Sequence, residues 1–255
     1  MLSTHEKEGA RKRQSDNNEL LALLDVPRGP QVTGDRIPDS KTIQEEGIET
    51  LLGLIRRRHS LHLRFSAGKD STACAVLMIE AVRRALKEGI STTHYISGSS
   101  TGIDNPVMEM HLLEVQHEMR EHFQEHCLPI EVHLTHPSIA SSFIVTTVGR
   151  GTLPRFPENS KTRQCAADWK YYPGRRLAAE LEARANEQTG REMVTLIGTR
   201  FQESSERKLR MEDRGESARE PVRGESGELV LSLIADWSLA DVWEGRTQDS
   251  EKIGR

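Results

Sequence analysis

Between Leu61 and Leu86 an alternating apolar run, a short glycine-containing turn and a largely apolar helical stretch follow one another without a gap. No other feature constrains the fold as tightly. Leu61, Leu63 and Phe65 alternate with His62 and Arg64, the period of a strand with one apolar face. Ser66 to Asp70 then supplies a compact polar turn around Gly68. From Ser71 to about Leu86 the residues are Ala, Val, Leu, Met and Ile on most sides, which predicts a buried helix. A buried helix that leaves a strand through a tight turn must fold back over the sheet, so the next strand runs parallel to the first.

The rest of the chain repeats the unit. Thr42 with Glu45 resembles a capping box, and Ile48, Leu51, Leu52 and Ile55 continue at helical spacing, predicting a helix over about 43–58. Strands are expected at 92–97, at Ile130 to Leu134, at Met193 to Ile197 and at Leu229 to Ile234. Helices are expected from Asn105-Pro106 along the Met108, Leu112, Val115, Met119 stripe, after Pro173 to about Glu187, and after Ser238, which caps with Asp241, through Trp243. The alternation predicts an α/β fold, a parallel-sheet α/β/α sandwich, with ligands bound beyond the carboxyl ends of the strands. Residues 202–228 carry 14 charged side chains and few large apolar ones, and are expected to form a mobile surface loop. Residues 1–40, broken by Pro27, Gly29, Pro30, Gly34 and Pro38, read as a flexible arm before one domain over 41–255.

Composition excludes several classes. The net charge of −4 predicts no global attraction to nucleic acid, so any phosphate contact must come from a local cluster of Lys and Arg. Cys74, Cys127 and Cys165 are three and scattered, which argues against a disulfide framework and for a reducing, cytoplasmic setting. No run of about 18 apolar residues is present, so no membrane span is expected. A homo-oligomer is left open.

Ser66-Ala67-Gly68-Lys69-Asp70-Ser71 has the chemistry of a phosphate cradle. N–H groups at a helix start lack intrahelical partners, the helix dipole favours negative charge there, and Gly68 permits close approach. Ser66, Lys69 and Ser71 add side-chain donors. The common nucleoside-triphosphate loop is excluded because Leu63 stands where its first glycine belongs and Asp70 where its Ser or Thr belongs. A dinucleotide-type Gly-x-Gly-x-x-Gly is also missing. What remains resembles the Ser-Gly-Gly-x-Asp-Ser signature of the PP-loop ATP pyrophosphatases, with Ala67 departing at the second position. That superfamily includes the phosphoadenylylsulfate reductases, sulfate adenylyltransferases and tRNA-thiolating enzymes.

The resemblance implies an adenine nucleotide alpha hydrolase-like fold and cleavage of ATP into AMP and pyrophosphate. It implies ATP contacts from Ser66, Ala67, Gly68, Lys69, Asp70 and Ser71, and adenosine contacts from Ser100-Thr101-Gly102-Ile103-Asp104-Asn105-Pro106, with Thr101 among them. Gly198-Thr199-Arg200-Phe201-Gln202-Glu203-Ser204 is similar to the group's Gly-x-Arg-x-x-Glu-Ser element, which faces Arg200 to the phosphates as a charge-assisted clamp, with Glu203 orienting it. Lys69, Asp70, Ser71 and Arg200 are the candidate catalytic residues. Mg²⁺ is implied through the triphosphate, with Asp70 as its candidate contact, directly or through water. Ser232 to Trp243 resembles the ending of reductase-like members, in which Trp237 and Trp243 read as packing anchors.

Gly149-Arg150-Gly151-x-x-Pro154 and Lys161-Thr162-Arg163-Gln164-Cys165, continuing to Lys170, are similar to the DNA phosphorothioation proteins DndC and SspD. This likeness covers about 60–244 and implies DNA as a partner, sulfur incorporation into its backbone, and further phosphorothioation proteins such as a cysteine desulfurase. Arg150, Lys161, Arg163 and Lys170 become candidate contacts to phosphates of ATP or DNA. Cys165, beside several cations, is a candidate sulfur relay. Three scattered cysteines cannot supply a four-thiolate iron-sulfur cluster within one chain. His122, His126, Cys127, His133 and His136 offer no standard metal-ligand spacing. A sulfate-assimilation reductase or adenylyltransferase, and a non-catalytic nucleotide-binding scaffold, are the alternative readings; the first lacks a cysteine near the C-terminus.

Overall fold

The computed structural model describes residues 40–153, 166–224 and 226–247. Most of the arm expected over 1–40, and Lys161, Arg163 and Cys165, lie outside the described residues. The chain runs through α1 (Ser40–Arg56), β1 (Leu61–Arg64), α2 (Lys69–Lys87), β2 (His94–Ser99), α3 (Pro106–Glu125) and β3 (Ile130–Thr135). Short turns at Ile139–Ser141, Ile144–Gly149 and Ala167–Tyr171 lead to α4 (Tyr172–Thr189) and β4 (Val194–Leu196). A turn at Phe201–Glu203, α5 (Ser205–Asp213), β5 (Val222–Arg223), β6 (Leu229–Leu231) and α6 (Leu239–Thr247) complete it.

The six strands form one sheet in the order β3-β2-β1-β4-β6-β5. Every neighbouring pair is parallel except β5 and β6, which are antiparallel. The α/β sandwich expected from the alternation is present, with an antiparallel edge strand that the alternation did not predict. Strand order reverses beside β1, whose neighbours are β2 and β4. Such a reversal opens a crevice at the carboxyl ends of the strands, because the connecting helices depart to opposite sides.

Both faces of the sheet are covered. Leu61, Leu63 and Ile96 join Leu51 and Ile55 of α1, Cys74 and Met78 of α2 and Leu112 of α3 in the main core. On the other face Tyr95 and Met193 pack with Leu181 and Ala185 of α4. His62, read as polar alternation on β1, is therefore only 1% exposed. A parallel strand buried on both sides needs no solvated face, so alternation is a weak guide to exposure here.

Caps explain several boundaries. Asn105 Oδ1 accepts from Val107 N at 3.0 Å and Pro106 follows it, starting α3 as expected. Ser238 and Asp241 form a reciprocal box, with Ser238 N donating to Asp241 Oδ2 at 2.7 Å and Asp241 N to Ser238 Oγ at 3.2 Å. Thr42 and Glu45 form no such box: α1 starts earlier, at Ser40, and Glu45 instead accepts from Arg84 Nη2 of α2 at 2.9 Å.

Segment 202–228 is a second correction, since helix α5 and strand β5 stand where an unstructured charged loop was expected. Ser204 caps α5, its Oγ accepting from Arg207 N at 3.2 Å. Glu203–Arg207, Glu206–Arg210 and Lys208–Glu212 pair across single turns. Fully buried Met211 anchors the helix. One apolar anchor, a cap and charge pairs suffice where an apolar stripe is missing. Among the described residues no helix is long and apolar enough to cross a membrane.

Candidate functional site

The turn after β1 is held by its own hydroxyls. Ser66 N donates to Ser71 Oγ at 3.2 Å, and Ser71 Oγ donates to Gly68 O at 3.0 Å. Thr72 Oγ1 also donates to Gly68 O at 3.0 Å. Gly68 is the N-cap of α2 and no side chain caps that helix, so the N–H groups of its first turn stay open beside the turn. Ala67 sits at φ +56°, in the left-handed region where a Cβ is strained. A glycine would fit this position without strain, which gives the departure at Ala67 a physical meaning.

The loop after β4 comes to the same place. Ile197 N donates to Leu231 O at 3.1 Å and Phe201 N to Ala235 O at 2.9 Å, fixing the loop at both ends. A Cβ on Gly198 would stand 3.0 Å from Asp70 C, 3.1 Å from Asp70 O and 3.1 Å from Ser71 N. The β4 loop thus lies backbone to backbone against the start of α2. Arg200, 5% exposed, donates from Nε to Asp70 Oδ1 at 2.7 Å. The other carboxylate oxygen accepts from Lys69 Nζ at 2.9 Å. Two cations, a helix start and two hydroxyls therefore converge where the strand order reverses.

This geometry changes two expectations. Glu203 does not orient Arg200: its carboxylate pairs with Arg207 one turn along, and Asp70 takes the orienting position. Asp70 has both oxygens engaged by Lys69 and Arg200, so the carboxylate fits the work of holding a guanidinium rather than ligating Mg²⁺ directly. Among the described residues no group of three His, Cys, Asp or Glu is arranged to hold a metal. His122 Nε2 is bonded to Arg83 Nη2 at 2.8 Å and stacks on His126, which accounts for that pair.

Two clefts open beside the turn. One, of 350 Å³, lies between Phe65, Ser66, Ser99 and Ser100 and the segment that leads from Asp104 into α3, including Met108. Thr101, expected to touch adenosine, is 5% exposed, and its hydroxyl accepts from Ile103 N at 3.3 Å. Its neighbours Ser100 and Asp104 line the cleft in its place. The second cleft, of 330 Å³, lies on the α4 side and is lined by Arg64, Ser66, Ser97, Ser99, Lys170 and Arg175, among others. Lys170 borders both and pairs with Asp104 at 3.0 Å. Arg150 is exposed at the end of the 144–149 turn and lines neither cleft.

Sequence reasoning missed Arg64, Arg175 and the partner of Ser97. His62 Nε2 lies 2.8 Å from Ser97 Oγ. Burial, with Arg64 and His133 nearby, lowers the His62 pKa to about 3, so the ring is neutral. Cys74 is fully buried and its thiol is raised to about 12 by that burial and by Asp70, which leaves it inert. Trp237 is buried as expected, whereas Trp243 is 50% exposed.

The sequence matches no protein-family model and no curated protein. Among solved structures it is similar to an NAD+ synthetase from Burkholderia pseudomallei, with TM-score 0.45 and 16% identity over 85% of this chain and 68% of that one. It is also similar to Candida glabrata FMN adenylyltransferase in complex with FAD and inorganic pyrophosphate, with TM-score 0.43 and 10% identity over 84% of this chain. The same enzyme with FMN and the ATP analogue AMPCPP gives TM-score 0.39. The chain spans 60% and 59% of the length of those two FMN adenylyltransferase chains.

Proposed function

We propose that this chain is a PP-loop ATP pyrophosphatase that activates an acceptor by adenylylation, and that the acceptor is a phosphate of the DNA backbone. The observation that carries the reading is the buried Arg200–Asp70 pair, which ties the loop after β4 to the open start of α2 and fixes a positive charge beside it. Such a spot suits a leaving pyrophosphate. It offers helix N–H groups, the hydroxyls of Ser66 and Ser71, and the cations Lys69 and Arg200, all fixed before reaction. Preorganised donors of this kind stabilise charge as it develops, and phosphoryl chemistry asks little else of a protein.

An acceptor oxygen attacks the α-phosphorus, the bond to the β-phosphate oxygen breaks, and pyrophosphate departs with the electron pair into the Lys69–Arg200 cradle. The acceptor then carries AMP as a leaving group, which a sulfur nucleophile from a partner protein displaces. Mg²⁺ would come with the triphosphate and supply charge neutralisation, and Asp70, whose carboxylate is engaged by Lys69 and Arg200, would be its contact only through water. Arg150, Lys161, Arg163 and Lys170 are proposed phosphate contacts and Cys165 a proposed sulfur relay, on the resemblance of their segment alone. Pyrophosphate release from ATP, measured with and without DNA, tests the acceptor. The expected result is faster release with DNA, and a rate indifferent to DNA would remove DNA from the proposal.

A further inference from the structure

Three cations line the cleft on the α4 side, Arg64 from the end of β1, Lys170 from the turn before α4 and Arg175 from the first turn of α4, and among the described residues no carboxylate lines it with them. Asp104 reaches Lys170 only from the neighbouring cleft. Arg175 lies over the Tyr171 ring at 5.7 Å, and neither it nor Arg64 has a carboxylate partner among the described residues. Beside the paired Lys170, two guanidinium groups leave positive charge at this cleft for an anionic ligand to neutralise.

Neutral donors point the same way. Ser97 Oγ lies 2.8 Å from His62 Nε2, and that buried imidazole has no partner at Nδ1. With its proton on Nε2 the ring donates to Ser97, which frees the serine O–H to donate into the cleft. Ser99 Oγ is buried without a hydrogen-bond partner on the same wall.

We infer that this cleft binds a phosphate group of the second substrate, the acceptor of the adenylyl group, through Arg64, Arg175, Lys170 and Ser97. Guanidinium forks match phosphate oxygens, and the 330 Å³ volume holds a phosphate with part of its attached sugar or base. Ser66 lines this cleft and also belongs to the turn before α2, so the bound phosphate lies next to the proposed ATP cradle. The word acceptor rests on the proposed adenylyl transfer; phosphate binding at this cleft does not.

The test is equilibrium binding to the full chain of a labelled mixed-sequence oligodeoxynucleotide and, separately, of inorganic phosphate. Wild type is compared with Arg64→Gln/Arg175→Gln and with Ser97→Ala. The double variant is expected to bind the oligonucleotide about tenfold or more weakly, with a salt dependence shallower by about one unit per cation removed. Ser97→Ala, which changes no charge, is expected to weaken it about threefold. If only the oligonucleotide depends on Arg64 and Arg175 the phosphate is that of a nucleic acid; if inorganic phosphate shows the same dependence it is a free one. Equal binding by wild type and the double variant overturns the site, and so does one-for-one displacement of either probe by ATP. Mg-ATP binding by wild type separates the two proposals: without it, an Arg64- and Arg175-dependent oligonucleotide complex leaves this site standing and removes adenylyl transfer.

Discussion

Arg200 Nε donates to Asp70 Oδ1 at 2.7 Å across 130 residues of chain, with the guanidinium side chain 6% exposed and the carboxylate 15%. Removing one member of so buried a pair leaves the other charge without compensation. Asp70→Asn is therefore expected to cost about 2–4 kcal/mol of unfolding free energy and to release Arg200 from its aim. Urea unfolding and pyrophosphate release, measured together, check this. A stable, fully active Asp70→Asn protein would contradict it.

Arg200→Lys separates charge from geometry. A single ammonium in place of the planar guanidinium cannot reproduce the Nε contact to Asp70 and a second contact to a phosphate at once. Turnover is expected to fall about a hundredfold or more, with a smaller change in stability than in Asp70→Asn. Comparing kcat with KM would show the loss chiefly in kcat.

Gly198 and Ala67 make opposite predictions. A Cβ at 198 meets the backbone of Asp70 and Ser71 at 3.0 to 3.1 Å, so Gly198→Ala should push β4's loop from α2, costing about 1–3 kcal/mol and weakening nucleotide binding. Ala67 already carries strain at φ +56°, so Ala67→Gly should be tolerated, within about 1 kcal/mol of wild type. Ala67→Val should destabilise, because a β-branched side chain resists that conformation. Thermal unfolding of the three variants orders them.

Acid sensitivity follows from two buried imidazoles. Burial lowers the pKa of His62 and of His94 from 6.5 to about 3. His94 Nδ1 also accepts from Leu61 N at 3.1 Å, which only an unprotonated nitrogen can do. Below pH 6.5 the unfolded chain binds protons that the folded chain refuses, so stability is intact above that pH and falls as pH drops toward 3. The two groups together predict a loss of roughly 2–3 kcal/mol between pH 7.5 and 5.5. Denaturant midpoints at the two pH values measure it, and a flat profile would show that neither ring is held neutral.

Strands and helices with a single clear period were legible in the sequence: β1 with its turn and α2, the Asn105-Pro106 start of α3 and the Ser238–Asp241 cap all stand where expected. Local sequence also put the turn and the β4 loop at the carboxyl edge of the sheet, because both follow parallel strands. Pairings across the sheet were not legible. That Asp70 rather than Glu203 holds Arg200, and that His62 holds Ser97, depends on strand order, which no periodicity encodes. Arg64 stood in ordinary strand alternation and nothing local singled out Arg175, so their meeting at one cleft was not legible either. Helix α5 escaped because its stability comes from a cap, charge pairs and Met211 rather than an apolar stripe.

The central claim is cleavage of ATP between its α- and β-phosphates at the turn before α2, and α-labelled ATP tests it most directly. Incubated with Mg²⁺, DNA and the purified protein, the label should appear in AMP, in step with pyrophosphate, and that product should vanish in Ser71→Ala and Arg200→Ala. Label recovered in ADP, or in unchanged ATP that the protein nonetheless binds, would contradict adenylyl transfer and leave another ATPase or a nucleotide-binding scaffold.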